Sequence, residues 1–195
     1  MKKILIIISL LFFLPTIAQK QKAILFFKDG TELKGRAKIS PTGKIKFRKS
    51  KGAEKQFFSS KELKSIIIRE FDKDVVYKYK LIEERKTILL LEVLEEGKVT
   101  LYRTLRSGYV AGATGPNGIP MGGHSYSISN YYVSKGNKNL VVHLGARGTI
   151  FSKNFKEAAS DYFKDCTTLV GKIQSKELKK RDIVEIVEFY NENCD

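Results

Sequence analysis

The sequence predicts an α+β protein, in which an antiparallel β roll, barrel-like domain or sandwich is followed by a C-terminal helical cap. Three observations support this class. Short segments with alternating or apolar character recur about every ten residues, turn residues separate them, and the apolar period changes to 3.6 residues after Ser152. Closely spaced strands favour antiparallel pairing over βαβ units. The length of 195 residues fits one domain of ordinary size.

The first 18 residues have the composition of a secretory signal peptide. Two lysines follow the initiator methionine, an apolar run extends from Ile4 to Leu14, and small residues precede a cleavage site predicted after Ala18. A transmembrane anchor is less favoured because it needs about 20 apolar residues, and this run ends at Pro15. We therefore expect a secreted or periplasmic protein that has no transmembrane anchor after processing.

Residues 19–150 are predicted to form the β-rich domain, which begins with a hairpin. The segment from Ala23 to Phe27 is apolar, and Asp29-Gly30 has the sequence of a two-residue type I′ turn. Polar and apolar residues then alternate from Glu32 to Ile39, and again from Lys44 to Arg48. These patterns predict two further strands.

The remaining β segments are predicted from the same signals. A capped turn at Ser59–Leu63 leads into them. A Gly-rich loop, residues 107–127, interrupts the series, contains six of the 15 glycines, and is long enough to be either functional or disordered. The predicted strands are Ser65–Glu70, Val75–Ile82, Thr87–Leu94, Val99–Leu105, Tyr131–Ser134 and Asn139–Leu144.

The C-terminal segment, residues 151–195, is predicted to be helical. Apolar residues up to Cys166 follow helical spacing, a short segment spans Thr168–Gln174, and Asp182–Asn193 has a second amphipathic pattern. Both cysteines lie at the ends of these apolar faces, so Cys166 and Cys194 can meet if successive segments reverse direction. An even cysteine count in an exported chain favours a disulfide, and two buried thiols are the alternative.

Basic residues are concentrated near the start of the mature chain. The formal charge of +15 becomes +13 when two lysines leave with the signal, and the segment from Lys20 to Lys55 holds 12 basic residues against three acidic ones. Alternate side chains of a strand share a face, so a two-stranded ribbon can place six cations together if Lys38 lies opposite an even-numbered residue. The six candidate anion-binding residues are Lys34, Arg36, Lys38, Lys44, Lys46 and Arg48.

This concentration of charge predicts a noncatalytic exported binding or envelope-associated module. Like charges opposite one another are destabilising, which favours an anionic partner, whereas a solvated face that prevents edge aggregation is the alternative. An anionic envelope component, such as a phosphorylated lipid or an acidic polysaccharide, suits an exported chain, and a protein partner is a further option. No specific nucleic acid is expected, because no recognition motif accompanies the charges.

The sequence predicts no catalytic residue, no cofactor and no metal ligand. His124 and His143 are 19 residues apart and have no cysteine or carboxylate at ligand spacing. Nucleophile-elbow and phosphate-loop motifs are missing. The alternative function is a hydrolase-like enzyme with a site near the Gly-rich loop, which predicts a pocket holding one of these histidines beside a carboxylate. A third interpretation is a subunit that contributes an edge strand to a partner.

The chain also resembles a set of uncharacterised exported proteins of Gram-negative bacteria. In that set an Ala-Gln signal end is followed by an Asp-Gly hairpin, a Lys-rich β region and a helical tail. The resemblance implies a location in the periplasm or outside the cell and a fixed helical tail, but no activity. The residues that carry it are Ala18-Gln19, Asp29-Gly30 to Gly35, Tyr131-Tyr132-Val133, Phe163 to Cys166, Tyr190-Asn191 and Cys194.

Overall fold

A computed structural model describes residues 21–112, 114–115, 118, 122–136, 138–149 and 154–194. The predicted signal peptide, residues 1–18, lies outside the described residues. The described chain forms a ten-stranded, mainly antiparallel sheet followed by three α-helices. The predicted α+β class with a helical C-terminal part is therefore confirmed.

In the described residues, ten strands precede the helices, and a 3-10 turn, Lys180–Asp182, leads into the last helix. The strands are β1 (Gln21–Phe27), β2 (Glu32–Ile39), β3 (Ile45–Arg48), β4 (Gln56–Phe58), β5 (Leu63–Glu70), β6 (Lys73–Ile82), β7 (Thr87–Glu95), β8 (Val99–Val110), β9 (His124–Lys135) and β10 (Leu140–Arg147). The helices are α1 (Phe155–Tyr162), α2 (Thr167–Gln174) and α3 (Ile183–Asn193).

Strands β6 to β10 close into a ring. β10 pairs with β9 in the antiparallel sense and with the end of β6 in parallel, where Leu140 lies opposite Leu81 and Val141 opposite Ile82. The first part of β6 pairs with β5 instead. The point where β5 gives way to β10 along β6 is termed the fork. Beyond β5 the sheet continues in the order β1, β2, β3, β4.

The two halves of the sheet have apolar cores on opposite faces. One core lies between β1–β5 and the odd-numbered side chains of β6, and there the hydroxyl of Tyr79 donates to the carbonyl oxygen of Gly43 at 2.7 Å. A second core lies inside the ring and takes one buried residue from each of its five strands: Ile82, Leu91, Tyr102, Tyr132 and Val141. A third lies between the outside of the ring and the helices. Adjacent residues of a strand point to opposite faces, so the even-numbered side chains of β6, such as Ile82, point away from the first core and into the ring. The outer face of β1–β3, which also points away from the first core, therefore continues into the ring interior.

The helices cover the outside of the ring, where they share an apolar core with β8, β9 and β10, and polar contacts fix them to it. Within the helical tail, a disulfide joins Cys166 to Cys194, with a Cα–Cα distance of 5.7 Å, so the predicted bridge is confirmed. The side-chain amide of Asn191 accepts from the backbone N–H of Val99 at 2.8 Å and donates to its carbonyl at 3.0 Å. Cys166, Asn191 and Cys194, which are among the residues that carry the resemblance to exported proteins, therefore have a structural role.

A charged contact completes this attachment. Asp165 accepts hydrogen bonds from Lys135 of β9 and, at 2.7 Å, from the hydroxyl of Tyr190. The hydrogen bond from Lys135 is the main cause that lowers the pKa of Asp165 below its usual value. The ammonium of Lys135 also lies over the rings of Tyr190 and Tyr162, at 5.2 and 5.6 Å from their centroids. The chain end is thus held by several independent interactions.

The predicted two-residue turn at Asp29-Gly30 is wrong in type. Only Gly30 has positive φ, at 88°, and Asp29 uses its carboxylate to accept from the N–H of Thr31 at 2.9 Å. This side-chain bond favours a three-residue loop, whereas a type I′ turn needs two positive φ values. The described turn of that kind joins β5 to β6 at Phe71 and Asp72, with φ of 44° and 63°.

The predicted Gly-rich loop is shorter than residues 107–127. β8 and β9 stay paired as far as Val110 opposite His124, so residues 107–110 and 124–127 belong to strands. Gly108 allows this pairing because a Cβ there would come within 2.8 Å of the Tyr126 ring. The first predicted helix is also shorter, since α1 ends at Tyr162 and does not continue to Cys166. Strand β4 was not predicted.

Candidate anion-binding face

The register of β2 and β3 brings the predicted cations together. Arg36 lies directly opposite Arg48, and Lys38 lies directly opposite Lys46. The condition that Lys38 should face an even-numbered residue is therefore met. Lys44 is separate, because it lies in the turn that precedes β3. We define the cationic face as Lys34, Arg36, Lys38, Lys46 and Arg48.

Packing on the opposite side of the ribbon fixes the orientation of this face. Ala37, Ile45 and Phe47 alternate with the cations and are buried in the first core. Gly35 belongs to the same buried side, where a Cβ would lie 2.4 Å from Cζ of Phe47. The large aromatic ring thus occupies the space that a side chain at position 35 would need. Since the apolar residues point inward, the cations point outward.

Strand β1 extends the positive charge across a third strand. Lys22 lies opposite Arg36, which in turn lies opposite Arg48. Neighbouring strands are about 4.8 Å apart, so three cations fall within a row about 10 Å wide. Glu32 lies at the start of β2 on the same side, two residues before Lys34. Like charges directly opposite each other are destabilising, so this row has an electrostatic cost.

The outer edge of the face combines charge with an exposed ring. Phe57 of β4 lies opposite Lys46 and is 63% exposed, and the Lys46 ammonium lies 5.9 Å from the centroid of its ring. Nε of Arg48 is buried and, within the described part of the chain, has no hydrogen-bond partner. A buried guanidinium N–H without an acceptor is unfavourable.

A shallow depression of about 290 Å³ lies at the other side of the face. Ile24 and Ile67 contribute apolar surface to it, and Lys22 and Lys34 contribute positive charge. Arg69 also lines it but is paired with Asp74 at 3.3 Å. The volume is at the lower limit for a small-molecule site. The surface therefore offers cations beside apolar patches rather than a deep cavity.

The histidines considered for catalysis are far apart. His143 packs its ring on Tyr132, 5.1 Å between centroids, and its backbone N–H donates to Glu84 at 3.1 Å. His124 lies eight positions before Tyr132 on the same strand, about 26 Å in an extended chain. No group of three or more His, Cys, Asp or Glu side chains among the described residues is arranged to hold a metal ion. The enzyme alternative stays an untested prediction.

Comparisons with protein-family models, with curated proteins and with solved structures found no match. The resemblance to exported Gram-negative proteins therefore stays a prediction. None of the helices in the described part of the chain has the length and apolar character needed to cross a membrane.

Proposed function

We propose that the protein is a noncatalytic exported module that binds a phosphorylated lipid of the cell envelope through the cationic face. One observation carries this proposal: Arg36 and Lys38 of β2 lie directly opposite Arg48 and Lys46 of β3. Export is supported by the signal-like first 18 residues and is compatible with the disulfide between Cys166 and Cys194.

The arrangement of charge favours binding over mere solvation. A strand face that serves only for solubility works equally well when positive and negative side chains alternate on it. Alternating charges would also replace the repulsion between opposite residues of neighbouring strands by attraction. Each directly opposed like pair instead costs about 0.2–1 kcal/mol. An anionic surface that covers the pairs removes this cost, so the unfavourable arrangement in the free protein becomes favourable in the complex.

The apolar groups beside the cations favour a lipid over a polysaccharide. Phe57 is exposed at one edge of the face, and Ile24 and Ile67 lie at the other. Surfaces that combine lysine, arginine and exposed aromatic or aliphatic side chains are typical of attachment to a lipid–water interface. At about 1 kcal/mol for each basic residue near an anionic membrane, five cations contribute about 5 kcal/mol, a few thousandfold in affinity.

The experiment is co-sedimentation of the chain from residue 19 with phosphatidylcholine vesicles that contain none or about a third phosphatidylglycerol. We expect binding to the anionic vesicles alone, with strong loss between about 0.05 and 0.5 M salt because screening shortens the range of the charges. A variant with Lys34, Arg36, Lys46 and Arg48 changed to Glu should lose binding.

A matched variant carries four exposed lysines outside the face changed to Glu, so that both variants have the same net charge. It should keep most of the binding. Equal loss in both variants would mean that overall charge, and not the face, is responsible. Retention on dextran sulfate without binding to anionic vesicles would contradict the lipid proposal and favour an acidic polysaccharide. The control positions are Lys61, Lys73, Lys86 and Lys164.

A further inference from the structure

A second depression, of about 210 Å³, lies at the fork. β6 changes its partner there from β5 to β10, and the change leaves a gap between the start of β5 and the start of β10. This position is separate from the cationic face, which lies on β2 and β3. The gap is lined by Lys64, Ser65, Lys78, Tyr79, Lys80 and Asn139.

Lys80 is a buried cation at this gap. It is only 8% exposed, its ammonium donates to the carbonyl oxygen of Lys138 at 2.7 Å, and it lies 5.3 Å from the centroid of the Tyr102 ring. An ammonium has three donors, and the carbonyl uses one of them. In the described ranges of the chain, Lys80 forms no ion pair with a carboxylate. A buried charge without a counterion is strongly unfavourable.

The charge that remains at the gap suits a dianion. Lys78 forms an ion pair with Glu96, which neutralises one of the three lysines that line it. Lys64 and Lys80 leave two positive charges. Ser65 and Asn139 add neutral hydrogen-bonding side chains. Lysine is a common phosphate ligand in proteins, because its ammonium acts as a compact positive charge.

Packing alone does not account for a lysine at position 80. The same face of β6 places Ile82 inside the ring, where it packs with Leu91 and Tyr102. A methionine would fill the space of the lysine stem and avoid burial of a charge. The Lys138 carbonyl and the Tyr102 ring contact the ammonium, and a bound anion would add the counterion that no carboxylate among the described residues supplies.

We infer that the fork is a binding site for a small, doubly charged oxyanion, either inorganic phosphate or a phosphate monoester. Lys80 and Lys64 supply the two positive charges, and Ser65 and Asn139 supply hydrogen bonds. This inference does not depend on the proposed lipid attachment, because the two sites use different residues on different strands.

The test is a titration of ¹⁵N-labelled protein with inorganic phosphate at constant ionic strength, followed by the backbone amide signals of Ser65 and Asn139. We expect saturable shifts of both signals with phosphate and with glycerol 3-phosphate, and at least tenfold weaker binding of acetate, a monoanion. Shifts that never saturate, or equal affinity for acetate, would overturn the dianion site. Binding of phosphate without glycerol 3-phosphate would overturn the monoester part.

Variants locate the site. Lys80→Met should fold, be at least as stable as the wild type in chloride, and bind phosphate at least tenfold more weakly. Should this variant fail to fold, Lys64→Met decides, because this exposed side chain can be changed without disturbing the core, and it should also weaken binding about tenfold for the loss of one charge. Lys164→Met, on the helical cap, should bind like the wild type. Unchanged phosphate affinity in Lys80→Met, or in Lys64→Met if the first variant does not fold, would refute the site. The four-Glu variant of the cationic face should bind phosphate with the wild-type affinity.

Discussion

A double-mutant cycle on Lys38 and Lys46 tests whether the cationic face destabilises the free protein. The two side chains lie directly opposite each other on β2 and β3, and both point away from the core. Either single substitution, Lys38→Glu or Lys46→Glu, replaces the repulsive Lys–Lys pair by an attractive Glu–Lys pair. The double variant has two glutamates opposite each other and is again a repulsive, like-charge pair.

The expected magnitudes follow from this register. We take about 0.5 kcal/mol of repulsion in the wild type and about 0.5 kcal/mol of attraction in each single variant, from the range known for cross-strand pairs. Lys38→Glu should then raise the free energy of unfolding by about 1 kcal/mol. Lys46→Glu should gain less, because it also removes the cation–π contact with Phe57. The interaction energy over the cycle is about 2 kcal/mol.

Urea denaturation of the four proteins at about 0.05 M salt measures these values, and repetition at about 0.5 M salt should reduce the interaction energy by more than half because exposed charges are screened. The same variants should bind anionic vesicles more weakly, so stability and binding change in opposite directions. An interaction energy of zero within error at low salt, or single variants less stable than the wild type, would refute the argument that the face opposes folding.

Four further changes test the scaffold. Joint replacement of Cys166 and Cys194 by Ala should lower the free energy of unfolding by about 3.6 kcal/mol, since the bridge spans 28 residues, as measured by urea titration. Asn191→Ala should cost about 2–3 kcal/mol in the same assay, because both backbone groups of a buried β8 valine lose their partners. Asp72→Gly should gain about 0.5–1 kcal/mol by removing a side chain from a residue with φ of 63°. Asp165→Asn should alter the pH dependence of stability. The carboxyl of Asp165 has a lower pKa in the folded protein than its ordinary pKa of 3.8, so its ionised form stabilises the fold above pH 3.8, and this contribution is lost as the pH falls through the folded pKa. The free energies of unfolding of wild type and variant should therefore differ less at about pH 2 than at about pH 6.

Clear outcomes would contradict each of these four expectations. A loss under 1 kcal/mol without the disulfide would mean that the unfolded chain is already restricted in that region. An Asn191→Ala variant that loses less than 1 kcal/mol would show that the two hydrogen bonds to Val99 have little net value. A less stable Asp72→Gly variant would mean that the aspartate makes a compensating contact in the turn. A stability difference for Asp165→Asn that is the same at both pH values would exclude the ionised carboxylate as its cause.

The sequence predicted local structure well where one strand face is buried. The bounds of β2 agree with the alternation from Glu32 to Ile39, and the cation register followed from the need to bury Ala37 and Phe47. Strand β4 has three residues and no periodicity to detect, so it was missed. The turn at Phe71 and Asp72 lacks the glycine that usually marks positive φ, so its type could not be read either.

Ring closure could not be predicted from local patterns. It depends on the parallel pairing of Leu140 with Leu81 and of Val141 with Ile82, two contacts between residues that are far apart in the chain. Periodicity identifies the buried face of a strand but not which distant strand will pair with its edge. The fork exists only because of this closure. The lysines that line it therefore gave no signal in the sequence, where they resemble other cations at alternating positions.

The sheet shows how one pattern of alternating lysines produces two different environments. Lys34 lies opposite Ile24, Ile24 lies opposite Ile67, and Ile67 lies opposite Val76 on the next strands of the sheet. Residues directly opposite each other share a face, so the cationic face and the side of β6 that carries Lys80 are the same surface of the sheet. On β2 that surface is open to solvent, and its cations are hydrated and individually inexpensive. On β6 the ring closes beside it, and Lys80 is only 8% exposed and forms no ion pair with a carboxylate among the described residues. The burial of that charge is therefore set by the pairing of β10 with β6, so a variant that opens this pairing should expose Lys80 and abolish phosphate binding at the fork while leaving the cationic face intact.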